Sequence, residues 1–251
     1  MTRFAVIAAT ALALLAALAP AAGASTSPTM TLNQSAGRTA GSTANLGLDL
    51  KFTNSGTDSP EHLTLNLPPG LLANASIDGG TCLKATDVSG TACEVGTGTV
   101  SATADPVPGV LNLPVPVSVS VSFYLVPPPA PGDLAGLAVE GLGEQIGSTG
   151  AIRIRPSGDP DGVGVTLALV LPDHLPVLGI NAAQISLTEI NSTFDGLRYP
   201  ATCPATPAAL TATVDSYSDP TLHTVSAPLA VTGCSALPYS PAFQVSAIRR
   251  R

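Results

Sequence analysis

The chain of 251 residues contains no tryptophan, four tyrosines, five phenylalanines and only 11% charged residues. So few aromatic rings disfavour glycan binding, because carbohydrate platforms usually depend on exposed aromatic faces. Ten basic residues against 17 acidic ones give a net charge of −7. That balance excludes a basic surface of the size nucleic acid requires, and the one basic cluster, Arg249–Arg251, reads as a solvated tail. Past the N-terminus no apolar run is long enough to span a bilayer, since Val163–Ile180 is broken by Pro172, Asp173, His174 and Pro176. Amphipathic helical patterning is scarce as well. Asp133–Ile146 is the one plausible helical patch, and Gly136, Gly141 and Gly143 weaken it.

Catalytic patterns are equally scarce. There is no G-x-S-x-G elbow for a serine nucleophile, and no C-x-x-C pair to nucleate a zinc site. His62, His174 and His223 are scattered among expected strands and turns and read as surface or rim residues; a hydrolytic site using His174 and Asp173 is the rival reading. Asp159 and Asp161 open like a calcium loop, but Gly162–Val165 stand where oxygen ligands should follow, so the segment reads as a turn. Gly141–Gly147 has the wrong glycine spacing for a dinucleotide loop. Glu140 and Glu144 are too close in sequence to argue for a glycosidase pair and are expected to be exposed. Asn74-Ala75-Ser76 and Asn191-Ser192-Thr193 match the glycosylation pattern. No catalytic residue, cofactor site or metal site is expected.

What the sequence does hold begins at its N-terminus. Arg3, the apolar stretch Phe4–Ala19, Pro20 and Ala22-Gly23-Ala24 form the three regions of a cleavable export signal. Residues 1–24 are therefore expected to be removed, with cleavage before Ser25; Ala19-Pro20-Ala21 offers a second site, and an uncleaved anchor is the alternative. The mature chain then carries nine basic residues against 17 acidic, a net charge of −8, with no remaining membrane span.

Cys82, Cys93, Cys203 and Cys234 are an even set in an exported chain, which favours disulfides. Of the three pairings, the local one, Cys82–Cys93 with Cys203–Cys234, keeps each bridge in its own half of the chain and is the expected one. Alternating runs then recur. Leu46, Leu48, Leu50 and Phe52 share one face; so do Leu63, Leu65 and Leu67, and later Val117, Val119, Val121, Phe123 and Leu125. Ile152 with Ile154, Val163–Leu171, Gln184–Ile190, Leu210–Asp215 and Leu222–Val231 continue the pattern. Asn54–Thr57, Pro68-Pro69-Gly70, Pro127–Gly132 and Ser157–Gly162 punctuate it. Many short strands between Gly/Pro turns imply an all-β protein. The expected organisation is two immunoglobulin-like β-sandwich lobes, 25–130 and 151–245, with a glycine-rich connection at 131–150 and a basic tail at 246–251.

Two stretches carry a resemblance. Leu48–Thr57, followed by Leu67-Pro68-Pro69-Gly70-Leu71, resembles surface β-sandwich repeats of bacterial cell-wall proteins. The order Leu67–Asn74, Cys82–Val100, Phe123–Gly132 and Tyr199–Pro204 to Ala236–Tyr239 is similar to large secreted actinobacterial proteins of unknown function. Members of that family are usually longer, so a piece of a longer surface protein is one reading of this chain. The resemblance implies a β-sandwich fold and an extracytoplasmic place, and assigns no functional residues. Together with the signal and the missing catalytic patterns, it leads to the expectation of a secreted or cell-envelope structural or interaction protein without catalytic activity. A cell-wall polymer or other surface proteins are the expected partners; no cofactor and no nucleic acid is expected.

Overall fold

The computed structural model describes residues 26–34, 39–54, 58–74, 77–84, 91–105, 114–156, 163–177, 180–203 and 206–234. The signal segment, the Asp159–Asp161 turn and the Arg249–Arg251 tail lie outside them. Among the described residues thirteen strands follow one another: β1 (Thr26–Gln34), β2 (Thr43–Asn54), β3 (Pro60–Leu67), β4 (Glu94–Asp105), β5 (Val115–Val126), β6 (Ala135–Gly141) and β7 (Glu144–Gln145), then β8 (Gly150–Pro156), β9 (Val163–Val170), β10 (His174–Val177), β11 (Ile180–Arg198), β12 (Ala209–Ser216) and β13 (His223–Pro228). Two short 3₁₀ segments, Ile77–Leu83 and Thr91–Cys93, lie between β3 and β4.

Among the described residues the strands pair antiparallel throughout and build one sheet in the order β1-β2-β11-β4-β5-β6-β8-β9-β3-β12-β13, with β7 beside β6 and β10 beside β11. The sheet curls until its ends, β1 and β13, face each other in a nearly closed, barrel-like shape. Two separate lobes are not what this sheet shows. β2 pairs with β11, and β3 is paired between β9 and β12, so strands from both halves of the chain alternate across the expected boundary. The expected helical patch at Asp133–Ile146 is instead β6 and β7. Its glycines suit a strand there: Gly136 and Gly141 each lie where a side chain would press into neighbouring side chains.

Alternation makes the core. In β2, Leu46, Leu48, Leu50 and Phe52 are buried on the inner face, while Asn45, Gly47, Asp49 and Lys51 face the other way. Leu63 and Leu65 of β3, Val121, Phe123 and Leu125 of β5, Leu167 of β9, Ile185 and Leu187 of β11, and Leu210, Ala212 and Val214 of β12 fill the same interior. Each such buried aliphatic or aromatic side chain contributes roughly 1.5–3 kcal/mol of transfer free energy. The void left among Leu50, Leu65, Val119, Phe123, Leu137 and Ile185 is about 80 Å³. That is less than the ~150 Å³ cavity known to admit a benzene ring, so the interior is a packed core and not a ligand chamber.

A polar node fastens the seam where the sheet's two ends meet. Asp58 is 6% exposed. Its carboxylate accepts hydrogen bonds from the Thr26 hydroxyl at 3.4 Å, the Ser59 N–H at 3.0 Å and the Ser218 N–H at 3.3 Å. The start of β1, the approach to β3 and the turn after β12 are thus tied to one side chain. Ser59 extends the node by accepting the Leu187 N–H of β11 at 3.2 Å.

The two disulfides are Cys82–Cys93 and Cys203–Cys234, the local pairing expected from the sequence. The first joins the two 3₁₀ segments before β4. The second joins the chain leaving β11 to the chain leaving β13. In the chain-entropy description, loops of 11 and 31 residues contribute about 3 and about 4 kcal/mol respectively.

Candidate functional site

Five neighbouring strands, β1, β2, β11, β4 and β5, turn their apolar residues inward and so place every second residue on one continuous outer face. Register aligns those residues into rows. One row runs Thr31, Asp49, Asn191, Thr99, Ser120. The next runs Asn33, Gly47, Thr193, Thr97, Ser122 and reaches Glu140 on β6. A third runs Thr29, Lys51, Glu189, Ser101, Ser118. Neighbours within a row stand ~4.8 Å apart across strands, and the rows repeat every two residues along them. The face is therefore a lattice of hydroxyl and amide groups with no apolar side chain at any of these positions.

Its middle sinks into a shallow groove of about 560 Å³, lined by Thr97, Thr99, Ser120, Ser122, Glu140 and Asn191 among others. Glycines shape it from beneath. Gly96 and Gly98 sit on the inner side of β4, where a side chain would strike the backbone of β11 at Thr193 and Asn191. Their absence of side chains lets β4 and β11 approach closely and bend. Charge gathers at one end of the face, where Lys51 lies 3.5 Å from Asp49 and 3.3 Å from Glu189. The hydrogen bond to Glu189, then the negative charge of Asp49, holds the Lys51 ammonium above its ordinary pKa. The other charged residue of these three rows is Glu140, and Asp195 lies exposed two residues beyond Thr193 on β11.

The histidines that the sequence singles out fall elsewhere, and two of them stand beside carboxylates. His62 of β3 lies beside Asp215 of β12. Asp215 Oδ1 accepts the His62 backbone N–H at 2.9 Å and stands 3.0 Å from the His62 ring Nδ1. Glu61 brings a carboxylate oxygen to 3.9 Å of the same nitrogen. Ligand-type atoms of Glu61, His62 and Asp215 all lie within 4.8 Å of one another. Sequence reading missed this gathering because the partners come from strands 153 residues apart. The register shift between Val214 and Ser216 explains the arrangement: the Asp215 side chain takes the N–H that the irregular ladder leaves over. His174 pairs with its own neighbour Asp173 at 2.7 Å. Among the described residues neither His62 nor His174 has a hydroxyl or thiol partner. His223 opposes Val214 in the β12–β13 ladder.

Glu144 is exposed on β7, whereas Glu140 is half-buried at the groove's edge, a difference from the expected exposure of both. Gly141 and Gly143 belong to the β6–β7 turn, where Leu142 and Gly143 adopt positive φ. Asn191 and Thr193 are exposed on the polar face while Ser192 between them is buried. No helix among the described residues is long and apolar enough to cross a membrane.

Fold and face together define a class: an all-β, antiparallel, disulfide-stapled protein with a filled core and a hydroxyl-rich outer surface. No protein-family model matches the chain, and neither a curated protein nor a solved structure is detectably similar to it.

Proposed function

We propose that the protein is a non-catalytic module of the extracytoplasmic space, secreted or held at the cell envelope, that meets a neutral, hydroxyl-rich polymer of the envelope through the outer face of β1, β2, β11, β4 and β5. The observation that carries this reading is the lattice of Thr, Ser and Asn side chains around the groove at Thr97, Thr99, Ser120 and Asn191. Such groups donate and accept hydrogen bonds without a net charge of their own, which matches a polyhydroxyl ligand and does not favour an ionic one. A rigid sheet loses little conformational freedom on binding, so many weak contacts can add. The export signal read at residues 1–24, the resemblance to secreted actinobacterial surface proteins, and two disulfides of the kind that persist outside the cytoplasm support the location.

Co-sedimentation of the disulfide-intact protein with insoluble neutral envelope polysaccharide tests the proposal. The wild type is expected to pellet with the polymer and to be recovered in the envelope fraction of its host. Thr97→Ala combined with Thr99→Ala and Asn191→Ala is expected to weaken binding at least tenfold, which corresponds to about 1.4 kcal/mol. Equal pelleting of the triple variant, or turnover of a hydrolase substrate that is lost on changing His62 or His174, would overturn the reading.

A further inference from the structure

Arg155, the last residue but one of β8, has an unusual setting. It faces Gly164 across the β8–β9 ladder, and a Cβ at Gly164 would stand 2.8 Å from Nη2 and 3.2 Å from Nε. Only a residue without a side chain lets the guanidinium lie there. Nη2 donates a hydrogen bond to the Leu67 carbonyl at 2.8 Å. That carbonyl is itself fixed, because it precedes the Pro68-Pro69-Gly70 turn, in which the Leu71 N–H donates to Pro68 O at 3.1 Å and the Gly70 N–H to Val163 O at 2.9 Å. Gly70 has φ 80°, which suits glycine. The guanidinium is thus held from below and from one side.

Among the described residues it has no counter-ion. Lys51 and Arg153 each sit against carboxylates, of Asp49 and Glu189 and of Asp133 respectively. Arg155 is half-buried and forms no ion pair among the described residues, in a chain with 17 acidic groups against ten basic ones. It opens onto a groove of about 390 Å³ that shares no residue with the groove of the polar face. Asn66, Pro69, Pro200, Thr206, Pro207 and Thr211 form the walls, and the Cys203–Cys234 bridge frames the rim.

We infer that this groove is a binding site for a small ligand bearing one carboxylate, of the size of a short peptide, with Arg155 as the residue that takes the carboxylate. One of the five guanidinium N–H donors is spent on Leu67, and the planar fork that remains matches both oxygens of a carboxylate. Proline and disulfide walls are pre-formed, so little ordering is required when the ligand enters. The volume lies in the range of small-molecule sites. This site is separate from the polymer-binding face and does not depend on it.

Isothermal titration of the disulfide-intact protein with a short neutral peptide, as the free acid and as its C-terminal amide, tests the inference. The free acid is expected to bind at least tenfold more tightly than the amide, and added salt is expected to narrow that difference. Arg155→Gln is expected to abolish the preference for the acid, and Arg155→Lys to restore part of it, since lysine offers charge without the fork. Arg153→Gln, on the same strand but outside the groove, is expected to keep the preference. If acid and amide bind alike, if neither binds, or if Arg155→Gln binds as the wild type does, the inference fails. If Arg155→Gln does not fold, as read by near-ultraviolet dichroism, the acid–amide comparison on the wild type decides alone.

Discussion

The Tyr217 hydroxyl donates a 2.7 Å hydrogen bond to the carbonyl oxygen of Leu171, joining the turn after β12 to the end of β9. Partial burial first, then the carboxylates of Asp173 and Glu61, push the Tyr217 phenol above its ordinary pKa. Each cause disfavours the phenolate, which could no longer donate to Leu171.

An acid whose folded pKa is raised holds its proton more tightly in the native state. Its contribution to stability is therefore complete below the unfolded value of about 10, and it is lost as pH rises through the higher folded value. Spectrophotometric titration is expected to show one phenol ionising above the ordinary tyrosine range, with the difference between wild type and Tyr217→Phe assigning it. Tyr217→Phe is expected to lower stability by about 1 kcal/mol at neutral pH through the lost hydrogen bond, and to flatten the alkaline decline in urea midpoint. A Tyr217 that ionises below the ordinary value would contradict that burial and that placement of charge.

Asp58 carries a heavier consequence because it serves several donors at once. Removing its carboxylate leaves the Ser59 and Ser218 N–H groups and the Thr26 hydroxyl without their acceptor at the seam. Asp58→Ala is expected to cost about 2–3 kcal/mol in urea unfolding, whereas Asp58→Asn, which keeps a carbonyl acceptor, is expected to cost about 1 kcal/mol. Hydrogen exchange should then quicken first in β1 and β13, whose mutual position the node fixes. Loss spread evenly over all strands would mean that the node is not what holds the seam.

These tests also mark where sequence reading stops. Strands with strong alternation, such as Leu46–Phe52 and Val117–Leu125, were legible because each side chain's face follows from its own neighbours. The disulfide partners were legible from separation along the chain. β1 and β4 were not, since Thr, Ser, Gly and Ala give little apolar rhythm. β11 was anticipated only over Gln184–Ile190, because the polar Asn191, Ser192 and Thr193 conceal a strand that runs to Arg198. The placing of β3 between β9 and β12 depends on pairings between residues far apart in the chain, which leave no mark on local periodicity. For the same reason the polar face, assembled from residues between Thr29 and Thr193, and the groove at Arg155 could not be assembled from the sequence, although every residue in them was visible.

The close approach of β4 and β11 provides the last prediction. Gly96 lies under Phe194, whose ring stacks at a tilt on Phe123 with centroids 5.1 Å apart. A methyl group at Gly96 would meet the Thr193 carbonyl oxygen and come within 3.1 Å of the Phe194 Cα, both of them backbone atoms that cannot rotate aside. The two strands would have to separate, and the aromatic pair would lose its seat. Gly96→Ala is therefore expected to destabilise the protein by about 1–3 kcal/mol, although alanine is otherwise tolerated in strands. Thr97→Ala, one residue along but on the outer face, is expected to stay within about 0.5 kcal/mol of the wild type. Because Thr97 and Thr193 flank the polar groove, Gly96→Ala should also weaken the polymer binding proposed for this face while the protein remains folded. A Gly96→Ala protein of unchanged stability would show that β4 and β11 are not held at this separation.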